Sequence, residues 1–171
     1  MALVVGTLTA PGRAQAGDGD RAFDAQAHKG GLAHRPESTL ASFGNALRLG
    51  VSTLELDVQI TVDGAAVVTH DRKVDGRKCV DTAPVAPGDP AFPYVGRYVK
   101  TLTLAQVKTL DCGTKTLPDF PAQIAVPGAR VPTLREVFDL VKRYHADDVK
   151  LNVETKGPAV WTGGASATWA R

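Results

Sequence analysis

The stretch that most constrains the fold is STLELDVQIT at residues 52–61. Leu54, Leu56 and Val58 alternate with Glu55, Asp57 and Gln59, so a strand here has one apolar face and one face with two carboxylates. The apolar face needs a covering layer. The two like charges need a positive group between them. A divalent cation with oxygen ligands meets that need, and a solvated strand face is the plainer alternative.

Covering elements are present on both sides of this strand. PESTLASFGNALRLG, residues 36–50, reads as a helix, with Pro36 in its first turn, Glu37 near its N-terminus and Gly50 as its C-cap. Leu40, Phe43, Ala46 and Leu47 repeat at helical spacing. TLREVFDLVKRYHA, residues 133–146, reads as a second amphipathic helix. Thr133 and Glu136 form its capping box, and Leu134, Val137, Phe138 and Val141 form its apolar stripe. FDAQAH (23–28), AAVVTHD (65–71) and DVKLNVETK (148–156) are the other strand candidates. Strands alternating with helices argue for an α/β fold.

Residues 71–132 are rich in Pro and Gly and are expected to form a long loop or insertion, with a short helix at 103–110. Cys79 and Cys112 are the chain's two cysteines. In an exported protein such a pair makes one disulfide. Export is expected from the N-terminus, where an apolar run and AQA at 14–16 make residues 1–16 resemble the end of a signal peptide. A secreted location follows from these two features. No apolar run is long enough to span a membrane. A net charge of +2 with scattered Lys and Arg gives no footprint for nucleic acid. Nothing in the sequence specifies an oligomeric state.

His70 strengthens the case for a site. With Asp63-Gly64 as a tight turn, a hairpin would set Asp57 opposite His70, Cβ atoms roughly 5 Å apart. An extended return of the chain also brings His70 level with the acids. Glu154 and Lys156 share the outward face of the last strand, adding a third carboxylate and a cation. His28-Lys29-Gly30-Gly31, at the end of the first strand, suits a phosphate: an imidazole, an ammonium and room for close backbone approach. His34 and His145 read as ordinary loop and helix-end residues.

Five motifs in order then carry a family resemblance. They are His28-Lys29-Gly30, Pro36-Glu37-Ser38-Thr39, Glu55-Leu56-Asp57-Val58, Thr61-Val62-Asp63-Gly64 and His70-Asp71, followed by Glu154-Thr155-Lys156. Together they resemble the signature of the glycerophosphodiester phosphodiesterases. The resemblance implies a TIM-type (β/α) barrel with its site at the C-terminal strand ends. It implies hydrolysis of a small-molecule glycerophosphodiester to glycerol 3-phosphate and an alcohol, with Ca²⁺ or Mg²⁺ as cofactor. Residue by residue, it makes Glu55, Asp57 and Glu154 metal ligands and His28 and His70 the acid/base pair. Lys29 and Lys156 become phosphate contacts, with Glu37 in support. Two other readings stay open: a phospholipase D-like or C-like lipid phosphodiesterase, and a fragment that only binds cation or phosphate.

This sequence departs from the family pattern in three places. Lys29 stands where the family carries arginine and cannot form a planar fork to phosphate. Ser38 stands in place of asparagine. The resemblance ends at Lys156, while such barrels run to ~250 residues. About the first half of a barrel is therefore expected within 22–157, truncated or frame-shifted before an aberrant tail at 158–171.

Overall fold

The computed structural model describes residues 23–156 and, for the backbone, 166–169. The signal-peptide-like segment 1–16 and most of the tail lie outside the described residues. One five-stranded sheet organises the described residues. Strand β1 (Gln26–Ala27) and strand β4 (Lys150–Thr155) both pair in parallel with the central strand β2 (Thr53–Ile60). Strand β3 (Ala66–Val68) returns antiparallel on the end of β2, and strand β5 (Ser166–Trp169) runs antiparallel to β4. No periodicity was expected of the tail; β5 forms in it by main-chain pairing to the edge of β4.

Helices α1 (Leu40–Leu49) and α3 (Leu134–Arg143) cover the apolar sheet face. Phe43 and Ala46 of α1 and Val137 and Leu140 of α3 meet Leu54, Leu56, Val58 and Val153 of the sheet in one buried cluster. Burial of each of the Phe, Leu and Val side chains contributes about 1.5–3 kcal/mol. Phe138, expected on the apolar stripe of α3, is instead exposed; Leu140 and Tyr144 take the inward positions. At a helical period of 3.6 the inward set 134, 137, 140, 141, 144 leaves 138 at its border.

Helix α1 begins later than expected. Ser38 has φ +56°, outside helical space, so Pro36 and Glu37 lie before the helix. Thr39 is the N-cap: its hydroxyl accepts from Ser42 N at 3.1 Å, and the Ser42 hydroxyl accepts in return from Thr39 N at 3.2 Å. Gly50, at φ +76°, closes the helix as expected.

The β2–β3 hairpin is one residue off the expected register. Ile60 pairs Ala66 and Val58 pairs Val68, so the residue facing Asp57 is Thr69, whose amide donates to Asp57 O at 3.0 Å. The connection is a wide loop rather than a two-residue turn. Thr61 N donates to Ala65 O at 3.0 Å, and Ala65 N donates to the Thr61 hydroxyl at 2.9 Å. Asp63 ties this loop to helix α2 (Leu104–Lys108): it accepts from the Thr61 hydroxyl at 2.5 Å and from Leu104 N at 3.0 Å.

The stretch 71–132 is irregular in backbone yet builds a core of its own. Val74, Tyr94, Val99, Leu102, Val107, Leu110, Cys112 and Val131 are buried around Val67 of β3. The Cys79–Cys112 disulfide crosses this core. Asp111 substitutes for regular structure by accepting from Gly113 N, Thr114 N, Gly128 N and the Thr114 hydroxyl at 2.6–3.0 Å.

Candidate functional site

Strands β2 and β4 carry the expected acids to one place, and β1 leads into the basic turn beside them. In parallel register Asp57 stands beside Glu154 and Glu55 beside Asn152. Glu55, Asp57 and Glu154 each offer a carboxylate oxygen, and these oxygens lie within 4.8 Å of one another. Asp57 is 1% exposed, and both its carboxylate oxygens are buried without a hydrogen-bond donor among the described residues. The Lys156 ammonium is 3.0 Å from Asp57 Oδ1, at ion-pair distance but without hydrogen-bond alignment. Its hydrogen bond goes to Glu154 Oε1.

Electrostatics separate the three acids. Burial pushes the Glu55 carboxyl above its usual range; Asp57 and Glu154 add to this, while the Lys29 amide and His28 oppose it. The hydrogen bond from Lys156 holds Glu154 below its usual range, with a further contribution from nearby His70. Burial alone would lower the Lys156 pKa, but its contacts with Glu154 and Asp57 outweigh that and raise it.

A sharp turn brings the phosphate-binding candidates to the same edge. After β1 the chain enters a 3₁₀ turn at His28–Gly30, with Lys29 at φ +50° and Gly30 at φ +78°. A non-glycine residue in this region stores strain, which concentrates at functional sites. The turn is held by Lys29 N donating to Glu55 Oε2 at 2.6 Å and by Ser38 N donating to Lys29 O at 2.9 Å. Gly30 serves packing: a Cβ there would meet Ser42 Oγ at 2.6 Å and the Phe43 ring at 2.9 Å. Its glycine therefore lets the turn seat on α1, rather than only admitting a phosphate.

The His28 side chain is 65% exposed with Nε2 4.0 Å from Glu55 Oε2. His70 lies beyond β3, its Nδ1 3.1 Å from Asp71 Oδ1. The Lys29 ammonium is 3.8 Å from Glu37 Oε1, so Glu37, before α1, meets the site through Lys29. One contributor escaped the sequence reading. Lys78, from the stretch taken as a loop, donates to Glu37 Oε1 at 2.8 Å and also to Asp71 Oδ2. Its one sequence signal was adjacency to Cys79.

An open, partly parallel α/β sheet with three acids on its polar face and a basic turn beside them has the form of part of an α/β barrel. The sequence profile of the Glycerophosphoryl diester phosphodiesterase family matches residues 28–165, and the chain belongs to that family. A glycerophosphodiester phosphodiesterase of Caldanaerobacter subterraneus is 38% identical over 134 residues, covering 78% of this chain and 45% of that protein. The crystal structure of a Silicibacter pomeroyi protein assigned to the same family superposes with a TM-score of 0.67 at 31% identity, covering 79% of this chain and 46% of that one. An Oleispira antarctica phosphodiesterase, solved with the product sn-glycerol-3-phosphate, superposes with a TM-score of 0.57 at 26% identity, covering 78% and 44%. These neighbours are TIM barrels, and the present sheet is part of one. The chain spans less than half the length of these relatives.

Proposed function

We propose that this chain carries the metal and phosphate face of a divalent-cation-dependent glycerophosphodiester phosphodiesterase. The reaction is hydrolysis of a glycerophosphodiester to glycerol 3-phosphate and an alcohol. The observation that carries this reading is the convergence of Glu55, Asp57 and Glu154 beside the strained His28-Lys29 turn, in a member of this family.

The donor set fits a hard cation. All three residues offer oxygen, and the two buried Asp57 oxygens lack hydrogen-bond donors among the described residues. Glu55, Asp57 and Glu154 would hold Ca²⁺ or Mg²⁺, which supplies charge neutralisation and Lewis acidity at a phosphoryl oxygen. Lys29 and Lys156 then give their ammoniums to the remaining phosphate oxygens. His28 and His70 share the proton work: one takes the proton of the attacking oxygen, the other gives one to the leaving alcohol oxygen. Their exposed and half-exposed rings have access to a bound diester. An extracytoplasmic setting belongs to the same reading and is supported by the Cys79–Cys112 disulfide.

A second reading keeps the three oxygen ligands and drops turnover: a binder of cation and phosphate. The two separate on incubating the full chain with glycerophosphocholine, with Ca²⁺ or Mg²⁺ and then with chelator. Cation-dependent release of glycerol 3-phosphate is expected, falling ~10²-fold or more in His28→Ala and in His70→Ala. Cation binding without release selects the second reading. Full turnover in either variant removes that histidine from the mechanism.

A further inference from the structure

We propose that Lys78 is a positioning residue of this site, engaging Glu37 and Asp71 so that Lys29 and His70 remain available to substrate. The inference rests on the phosphate and proton roles given above to Lys29 and His70.

Glu37 is the pivot. Its side chain is 9% exposed, so its charge needs a close partner. Two ammoniums face the same oxygen: Lys78 hydrogen-bonds it at 2.8 Å, while Lys29 stands at 3.8 Å. Lys78 is thus the counter-charge that Glu37 uses, and Lys29 is left loosely held. Without Lys78, Glu37 would draw the Lys29 ammonium to itself. The phosphate would then have to compete with a buried carboxylate for its own ligand.

The second arm reaches His70. Lys78 donates to Asp71 Oδ2, and the other oxygen of Asp71 lies 3.1 Å from His70 Nδ1. A carboxylate so placed sets the imidazole's orientation and tautomer, leaving Nε2 for proton exchange. One ammonium therefore organises both an anion contact and an acid/base group. Burial works against the Lys78 charge, but the hydrogen bonds to Asp71 and Glu37 more than restore it, and its pKa is raised.

The mount of Lys78 is rigid. Lys78 N and Cys79 N both donate to Asp75 O, at 3.0 and 2.9 Å. Cys79 is disulfide-bonded to Cys112, and Cys112 N donates to Ala129 O at 2.8 Å. Glu37, Ser38, Lys78, Cys79 and Cys112 line one pocket, so the disulfide forms its wall beside the ion pair. This gives the Pro/Gly-rich stretch a task at the site.

The test uses the full chain and needs no turnover. Calorimetry measures inorganic phosphate binding with Ca²⁺ present, and long-range ¹H–¹⁵N spectra report the His70 ring. Lys78→Met is expected to weaken phosphate binding about 10-fold, the worth of one charge-assisted hydrogen bond. Adding Glu37→Gln is expected to restore binding, because Lys29 then has no competing carboxylate. In Lys78→Met the single His70 tautomer is expected to become a mixture. Unchanged phosphate affinity in Lys78→Met overturns the proposal, as does failure of Glu37→Gln to rescue it. If Lys78→Met melts below the assay temperature, Lys78→Gln is measured against the same criteria. Absence of hydrolysis by the wild-type chain counts against the enzymatic reading alone.

Discussion

Asp57 on β2 and Glu154 on β4 are register partners on parallel strands, and the Lys156 ammonium spans both carboxylates. Lys156 stabilises this pair in the absence of a cation, but incompletely. Asp57 keeps two buried oxygens without hydrogen-bond donors among the described residues, an arrangement that costs about 1–3 kcal/mol. Asp57→Asn replaces the buried charge with a neutral amide and lowers that cost, and Lys156 still has Glu154. In chelator, Asp57→Asn is therefore expected to melt about 2–4 °C above wild type for each kcal/mol recovered. A lower melting temperature would show that the ion pair to Lys156 outweighs the desolvation of Asp57.

Glu55 predicts a pH dependence. Its folded pKa is raised, chiefly by burial, so the folded state binds more protons than the unfolded one as pH passes through this range. Stability then falls as pH rises from the ordinary glutamate pKa through the raised one. In chelator, Glu55→Gln is expected to gain on wild type across that window and to lose its advantage at lower pH. Denaturant melts of both proteins over a pH series measure the crossover.

Asp111 behaves in the opposite sense. Burial would raise its pKa, but the Thr114 hydroxyl and the amides of Gly113, Gly128 and Thr114 bring it down to about 2. Its contribution is present above pH 3.8, the unfolded value, and is lost as pH falls towards about 2. Asp111→Ala leaves the buried Gly113 amide unpaired and is expected to cost about 1–3 kcal/mol near neutral pH. The gap between the variant and wild type should close in acid. A gap independent of pH would assign the role of Asp111 to packing.

Alternation and helical spacing made most of the barrel portion legible. The STLELDVQIT strand, the Thr133–Glu136 capping box and the Gly50 stop are local signals, and the structure has each of them. The hairpin register was not legible, because Asp63 is shared between Thr61 in the loop and Leu104 of α2, 41 residues away. The helix start was hidden by Ser38, whose left-handed backbone follows from the Lys29 turn it hydrogen-bonds. Lys78 was missed for a related reason. Its partners Glu37 and Asp71 are 41 and 7 residues away, and only the folded disulfide region brings it to them. Contacts of that span leave no periodic trace in a single sequence.

The measurement that bears most directly on the account is calorimetric titration of the full chain with Ca²⁺ and with Mg²⁺, beside Asp57→Asn. The account predicts one cation per wild-type chain, with affinity rising with pH as Glu55 loses its proton. It predicts loss of about 10²-fold or more in Asp57→Asn, with the melting temperature in chelator maintained or raised. No heat of binding in a cooperatively folded wild-type chain, or equal binding by Asp57→Asn, would contradict the assignment of Glu55, Asp57 and Glu154 as a metal site.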